Sequence, residues 1–283
     1  MKKIKTILTG LALIFVFQAC EKVEPPYKTG IDCEAGTRKV LIEDYTGHGC
    51  VNCPGAAVTA HELQEMCEDR IIIMAVHAGY FASTEAFGPD YTYDFNTEAG
   101  TEWNNFYSII GNPKGMVNRF DGGVGVVTVP DKWGAKVVDQ LETPADVELS
   151  ISNSFDQTEN KLSTTVSGHF ISAVNGNFKL VVCVTENNIV QPQKNNDYGI
   201  PGAPASPNWL DYVHQHVLRI AINGPWGQEI ASGDVTAGTD FSKSLNQDFT
   251  GHDWVPENCH VVAFVYQGSD KSILQVEEAA VIE

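Results

Sequence analysis

Apolar residues along this chain fall into two patterns that meet near residue 142. Before that point they come as unbroken runs. Arg38 to Tyr45 (RKVLIEDY) is a short run bounded by Gly36 and by Thr46-Gly47, and it predicts a strand. Ile71 to Ala78 (IIIMAVHA) is a second continuous run, of the kind buried on both faces of a parallel sheet. Between them, Pro54 to Asp69 carries Ala, His, Leu, Gln, Glu and Met with no breaker after Gly55, which predicts a helix. Strand, helix and strand in that order make a βαβ unit. Gly79 to Asn105 has no clear period and is long for a bare loop, so short inserted helices are expected there. Met116 to Phe120 and Val124 to Val129 read as a hairpin around Gly122-Gly123, and Trp133 to Leu141 as a closing helix.

After about Pro144 short β-type runs alternate with turn residues. They are Val147–Ser154, Lys161–Phe170, Asn177–Glu186, Tyr212–Ile222, Phe241–Phe249, Cys259–Tyr266 and Ser272–Val281. Seven strands at that spacing predict an antiparallel sandwich. The fold class expected is therefore an α/β domain over 33–142 followed by an all-β antiparallel sandwich domain over 143–283. One connection stands out: Asn187 to Trp209 contains Pro192, Pro201, Pro204, Pro207, Gly199 and Gly202, and a Pro-rich loop of that length is either mobile or a binding surface.

The N-terminus changes the picture of where the chain works. Lys2, Lys3 and Lys5 precede an apolar run from Ile7 to Phe17 that ends in Gln18-Ala19-Cys20. The run is too short for a permanent span and has the basic, apolar, small order of a secretory signal. A Cys directly after Ala19 resembles the lipobox of bacterial lipoproteins, although Phe17 replaces the usual Leu-like residue. The resemblance implies a signal peptide over 1–19, lipidation at Cys20 and a lipid-anchored tether over 20–32. The whole chain carries 18 Lys+Arg against 36 Asp+Glu, a formal charge of −18. Such a surface repels phosphate backbones, so nucleic acid is not an expected partner. No Gly-rich phosphate loop follows a strand and no Ser-centred nucleophile elbow is present, so no cofactor is expected.

Seven cysteines are present. With Cys20 set aside for lipid, Cys33, Cys50, Cys53, Cys67, Cys183 and Cys259 remain, and an exported chain permits disulfides among them. Six cysteines allow 15 pairings and the sequence does not choose among them; one arrangement pairs Cys33 with Cys67 around the helix, and Cys183 and Cys259 either bridge two strands or stay as buried thiols. The sharpest feature is Cys50-Val51-Asn52-Cys53-Pro54, between a buried strand and the start of a helix. Unpaired N–H groups and the positive end of the helix dipole favour thiolate there. By this logic Cys50 attacks and Cys53 resolves the mixed disulfide. Asp44, six residues before Cys50, is the candidate acceptor of the resolving proton. Pro113, in Ile109-Ile110-Gly111-Asn112-Pro113, is a candidate cis proline facing the cysteines. His48 is a candidate for raising thiolate character when charged. Zinc would need His48 or His77 to complete a ligand set, and His214 with His216 on one strand face would be a weak metal pair; no metal is expected.

The run Val40 to Pro54 (VLIEDYTGHGCVNCP) resembles the active-site segment of thioredoxin-fold proteins. Together with Val76-His77-Ala78, Gly111 to Arg119 (GNPKGMVNR) and His214 to Arg219 (HQHVLR), it resembles the outer membrane protein 28-related lipoprotein family of Bacteroidetes. That resemblance covers most of 38–283 and implies a thioredoxin-like domain followed by a β-rich domain, in the outer membrane of the cell envelope. Gly49 stands where Trp is usual, and Lys114 follows the proline where thioredoxins often have Thr. Two functions follow. One is a thiol–disulfide oxidoreductase acting on extracytoplasmic proteins. The other is a non-enzymatic surface lipoprotein that binds an unidentified ligand through the sandwich and its Pro-rich loop, with the Cys pair as a structural disulfide.

Overall fold

A computed structural model describes residue 33 and residues 36–67, 70–84 and 86–282. The expected leader over 1–19, Cys20 and the tether over 20–32 lie outside the described residues. The N-terminal half contains β1 (Val40–Thr46), α1 (Cys53–Met66), β2 (Ile71–His77), α2 (Glu98–Phe106), β3 (Lys114–Val117) and α3 (Trp133–Glu142). Then come the long strands β4 (Val147–Asp156), β5 (Lys161–Phe170) and β6 (Val174–Glu186). Four two-residue strands follow: β7 (Ile189–Val190), β8 (Gln193–Lys194), β9 (Asn208–Trp209) and β10 (Val213–His214). The chain ends with β11 (Val217–Ala221), β12 (Gln228–Val235), β13 (Asp240–Asp248), β14 (Cys259–Gln267) and β15 (Ile273–Ala280).

The unbroken apolar runs lie together in one eight-stranded sheet of order β15-β14-β6-β11-β2-β1-β3, with β12 also on β6. β1 and β2 are parallel with Val40 opposite Ile71 and Thr46 opposite His77, joined through α1 as the βαβ pattern predicts. β3 is antiparallel to β1, and β11 adds in parallel to β2 at Val217 and Ala75. The sheet thus draws strands from both sides of residue 142. β4, β5 and β13 form a separate antiparallel sheet.

The two-faced burial explains the runs. Leu41, Tyr45, Ile72, Met74 and Val76 share one core with Val181, Cys183, Val262 and Phe264, on a single face of the large sheet. On the other face, Val40, Ile42, Ile71 and Ile73 meet α1 and α3 through Ala56, Ala60, Trp133 and Val137. Further along that face, Leu180, Val182, Val261 and Ala263 meet Leu162, Val166 and Phe170 of the small sheet. The two sheets pack face to face, each side chain alternating between cores.

Three local expectations are corrected. Tyr212 to Ile222 is not one strand, because His216 takes a left-handed φ of 55° and its N–H bonds Asn187 Oδ1 at 2.7 Å. His214 and His216 therefore do not share the face of a continuous strand. The expected hairpin after Met116 is reduced to β3 and a single bridge, Gly115 to Thr128. β12 has no counterpart in the sequence reading: mostly exposed, with Gly233 in it, it lacks the apolar alternation that marks a strand. Cys183 and Cys259 are free buried thiols. They sit in different cores, on opposite faces of the sheet, so a bridge between them has no path.

Candidate functional site

The loop between β1 and α1 carries the cysteines, and its glycines are required by what lies against it. A Cβ at Gly47 would overlap the Phe81 backbone, and one at Gly49 would overlap the Phe87 ring. Gly49 N–H donates to Phe81 O at 2.9 Å. The space over Gly49 is filled by the Phe87 ring, which a side chain at 49 would displace. Cys50 and Cys53 form a disulfide with a Cα–Cα separation of 5.4 Å. Cys53 opens α1 with Pro54 behind it, and no acidic residue stands in the first turn to neutralise the dipole there. Both cysteines are buried, at 1% and 2% exposure. A second disulfide joins Cys33 to Cys67 at the end of α1.

Asp44 lies on β1, two residues before the strand ends. Its Oδ1 has no hydrogen-bond partner, and burial raises the carboxyl to about 7. Asp44 and Cys53 line one cavity of about 480 Å³ together with His77, Tyr212 and His214. His77 Nδ1 and His214 Nε2 are likewise buried without partners. Burial lowers His77 well below the usual imidazole range and lowers His214 to about 3, so both are neutral at ordinary pH. The Tyr212 hydroxyl is pushed up to about 12, by burial first and by the Asp44 charge second. Burial alone shifts the Asp44 carboxyl, with no cation offsetting it.

The Asn112–Pro113 bond is cis. Asn112 Nδ2 donates to Thr46 O at 2.9 Å, which fixes Pro113 at the end of the sheet where the cysteine loop leaves β1. His48 does not have the charge expected of it. It is buried against Phe87, Tyr91 and Phe95, its Nε2 meets Ser83 O at 3.0 Å, and burial lowers its pKa. A neutral imidazole adds no field to the thiolate. Among the described residues no three His, Cys, Asp or Glu side chains converge at metal-binding separation.

The sequence reading did not find Gln193. Its Nε2 donates to Cys50 O at 2.9 Å, to Gly47 O at 3.3 Å and to Lys194 O at 3.0 Å. The Pro-rich connection noted in the sequence thus begins as a segment lying on the cysteine loop. Nothing in its local pattern signals this, since the partners are 143 and 146 residues away.

A family model described as outer membrane protein Omp28 matches residues 101–283, a span that starts after the cysteine loop. No curated protein matches the sequence. Among solved structures, HBP35 of Porphyromonas gingivalis aligns over 87% of this chain and 76% of its own, with 18% identity and a TM-score of 0.63. A protein from Agrobacterium tumefaciens aligns over 87% of this chain and 96% of its own, with 14% identity and a TM-score of 0.50. A domain of the outer membrane lipoprotein Omp28 from Porphyromonas gingivalis aligns over 48% of this chain and 88% of its own, at 20% identity and a TM-score of 0.30. At these identities the likeness to the first two is one of fold.

Proposed function

The chain belongs to the outer membrane protein Omp28 family, and from that premise we propose that it is a lipid-anchored thiol–disulfide oxidoreductase acting on extracytoplasmic proteins. In this reading residues 33–142 are a thioredoxin-like region, 143–283 the β-rich remainder, and Cys20 the lipid attachment site. No helix among the described residues is long and apolar enough to cross a membrane. The observation that carries the proposal is the Cys50–Cys53 disulfide at the start of α1 with Asp44, its carboxyl raised to about 7, on the cavity that Cys53 also lines.

The exchange runs as follows. With the pair reduced, Cys50 thiolate attacks one sulfur of a substrate disulfide, forms a mixed disulfide and releases the other substrate sulfur as thiolate. Cys53 then loses its proton to Asp44 and attacks Cys50 Sγ. That closes the Cys50–Cys53 bond and releases the second substrate sulfur, so two electrons pass from the pair to the substrate. The reverse sequence oxidises a substrate dithiol. A carboxyl near 7 suits both directions, because it takes or returns a proton at small cost around neutral pH. Pro113 shapes the side of the groove next to Thr46.

Burial of both sulfurs favours a second reading, a surface lipoprotein that binds a ligand and uses this disulfide as a staple. The reduction potential separates them: alkylation and mass spectrometry across glutathione buffers should give a value between about −120 and −270 mV for an exchanger. A bond still closed below about −300 mV refutes the exchange reading. Cys53→Ser should accumulate a mixed disulfide at Cys50, and Cys50→Ser should abolish turnover; turnover unchanged by either substitution has the same consequence as the closed bond.

A further inference from the structure

Residues 193–196 run alongside the cysteine loop as a strand runs alongside a sheet edge. Lys194 N–H donates to His48 O at 2.7 Å and Asn196 N–H donates to Val51 O at 3.1 Å. Alternate amides face one side, as in an extended chain. The opposite side is also paired: Gln193 and Lys194 lie opposite Trp209 and Asn208, and Asn195 N–H donates to Pro207 O at 3.0 Å. Gln193, itself buried, reaches past the backbone to the carbonyls of Gly47 and Cys50. Lys194 Nζ lies 4.8 Å from the centre of the Tyr91 ring and bonds Asn208 Oδ1 at 2.6 Å. The result is a two-stranded flap, closed at its tip by the 197–206 turn with Pro201 and Pro204, lying over a disulfide that is almost wholly buried.

We propose that the carbonyl edge of His48 and Val51 is the docking site for an extended segment of the protein substrate, and that residues 193–196 hold that site in cis as a displaceable strap. The proposal rests on the exchange reading above. The chemistry recognised is the backbone of an extended polypeptide: two amide N–H groups two residues apart, meeting two carbonyls that flank Cys50. Pairing of this kind is the common way an exposed edge takes up a peptide strand. It places the sulfur of a docked peptide beside Cys50 without demanding a particular side chain. The strap and a substrate cannot pair with the same carbonyls at once, so docking requires the strap to leave. The flap is suited to leave as a unit, because the bonds of 193–196 other than those to the loop are made within the flap or to Tyr91.

The tests use the whole protein, and the reduction and exchange measurements start with both disulfides formed. Gln193→Glu keeps the size of the side chain but replaces the donor facing Gly47 O and Cys50 O with an acceptor. The rate of reduction of Cys50–Cys53 by excess dithiothreitol should rise about tenfold or more, the change expected from losing one to two buried hydrogen bonds. In the unsubstituted protein, the amides of Lys194 and Asn196 should exchange with deuterium well before those of Ile42 and Ile73, through local opening. Exchange of all four only together, or an unchanged reduction rate in a folded Gln193→Glu protein, overturns the strap. In a Gln193→Glu, Cys53→Ser background, an unstructured cysteine peptide carried as its mixed disulfide with glutathione, so that the leaving thiol is the same, should react with Cys50 about tenfold faster than oxidised glutathione. Equal rates overturn edge docking. The potential measured in glutathione buffers stands apart: a working potential with no strap effect leaves the exchange reading and removes this one, whereas faster reduction of a bond that glutathione buffers leave closed leaves a cover over a staple.

Discussion

Replacing Asp44 by Asn should make the protein more stable at alkaline pH and leave its stability almost unchanged at acid pH. Asn keeps the shape of the side chain and removes its charge. In the folded protein the carboxyl is buried, Oδ1 is without a partner, and the group titrates near 7 instead of 3.8. Burial is the whole cause of that shift and no cation offsets it; of the groups on the same cavity, His77 and His214 are neutral and Tyr212 titrates at about 12. A carboxyl raised in this way binds its proton more tightly folded than unfolded. Between about pH 4 and 7 the folded state holds more protons, so stability falls as pH rises, by about 1.4 kcal/mol per pH unit. Above 7 the full cost of the buried charge is present, about 4 kcal/mol on the order-of-magnitude scale that one unit of pKa is about 1.4 kcal/mol. Asn at 44 carries none of it. Urea unfolding of both proteins at pH 4 and pH 8, without reductant, should give matching free energies at pH 4 and a gap of roughly 2–4 kcal/mol in favour of Asn at pH 8. A gap that does not change with pH, or an Asn variant less stable at pH 8, would show that Asp44 is not a buried, uncompensated charge. The same substitution should slow resolution by Cys53, so stability and exchange should move in opposite directions.

Two further substitutions probe how the frame of the site is held. Arg119 bonds Glu43 through Nε and Nη2 at 2.8 and 2.7 Å, with both side chains fully buried. The rings of Trp103 and Phe264 lie 5.0 Å from the guanidinium carbon. Glu43→Gln would leave that guanidinium buried without its counter-charge and should cost about 3–5 kcal/mol in urea unfolding; a loss under about 1 kcal/mol would show that the pair is not needed. Gly49→Ala should cost about 1–3 kcal/mol by forcing its new methyl into the Phe87 ring. In a double-mutant cycle Phe87→Ala should remove most of that cost, and strictly additive losses would mean that Phe87 is not what excludes a side chain at 49.

How much of the molecule is readable in advance follows from the range of the interactions involved. β1, β2 and α1 are legible because an apolar run with no alternation suits a strand buried on both faces, and such a strand is specified by a handful of consecutive residues. β12 is not legible. It is an exposed partner on β6, held by backbone pairing that any sequence can supply. The break at His216 is missed for a related reason: the alternation of Tyr212 to Ile222 suits a strand, but the Asn187 side chain, 29 residues away, takes the His216 N–H. His48 looks like a charged loop residue in the sequence. The aromatic residues that bury and neutralise it come from 87–95, where the pattern has no period at all.

A Cys-x-x-Cys pair that follows a buried strand and opens a helix, with an acid six residues upstream, can be read from residue order alone. Spacing along the backbone is enough to place those groups. What surrounds them came only with packing. It paired Cys33 with Cys67, separated Cys183 from Cys259 across the sheet, and filled the space over Gly49 with Phe87. It also buried Asp44 with no cation offsetting its charge and laid Gln193 on the carbonyl of Cys50. Each of these depends on desolvation or on a hydrogen bond between distant segments. Both arise only once the chain has packed, and local residue patterns carry no record of them.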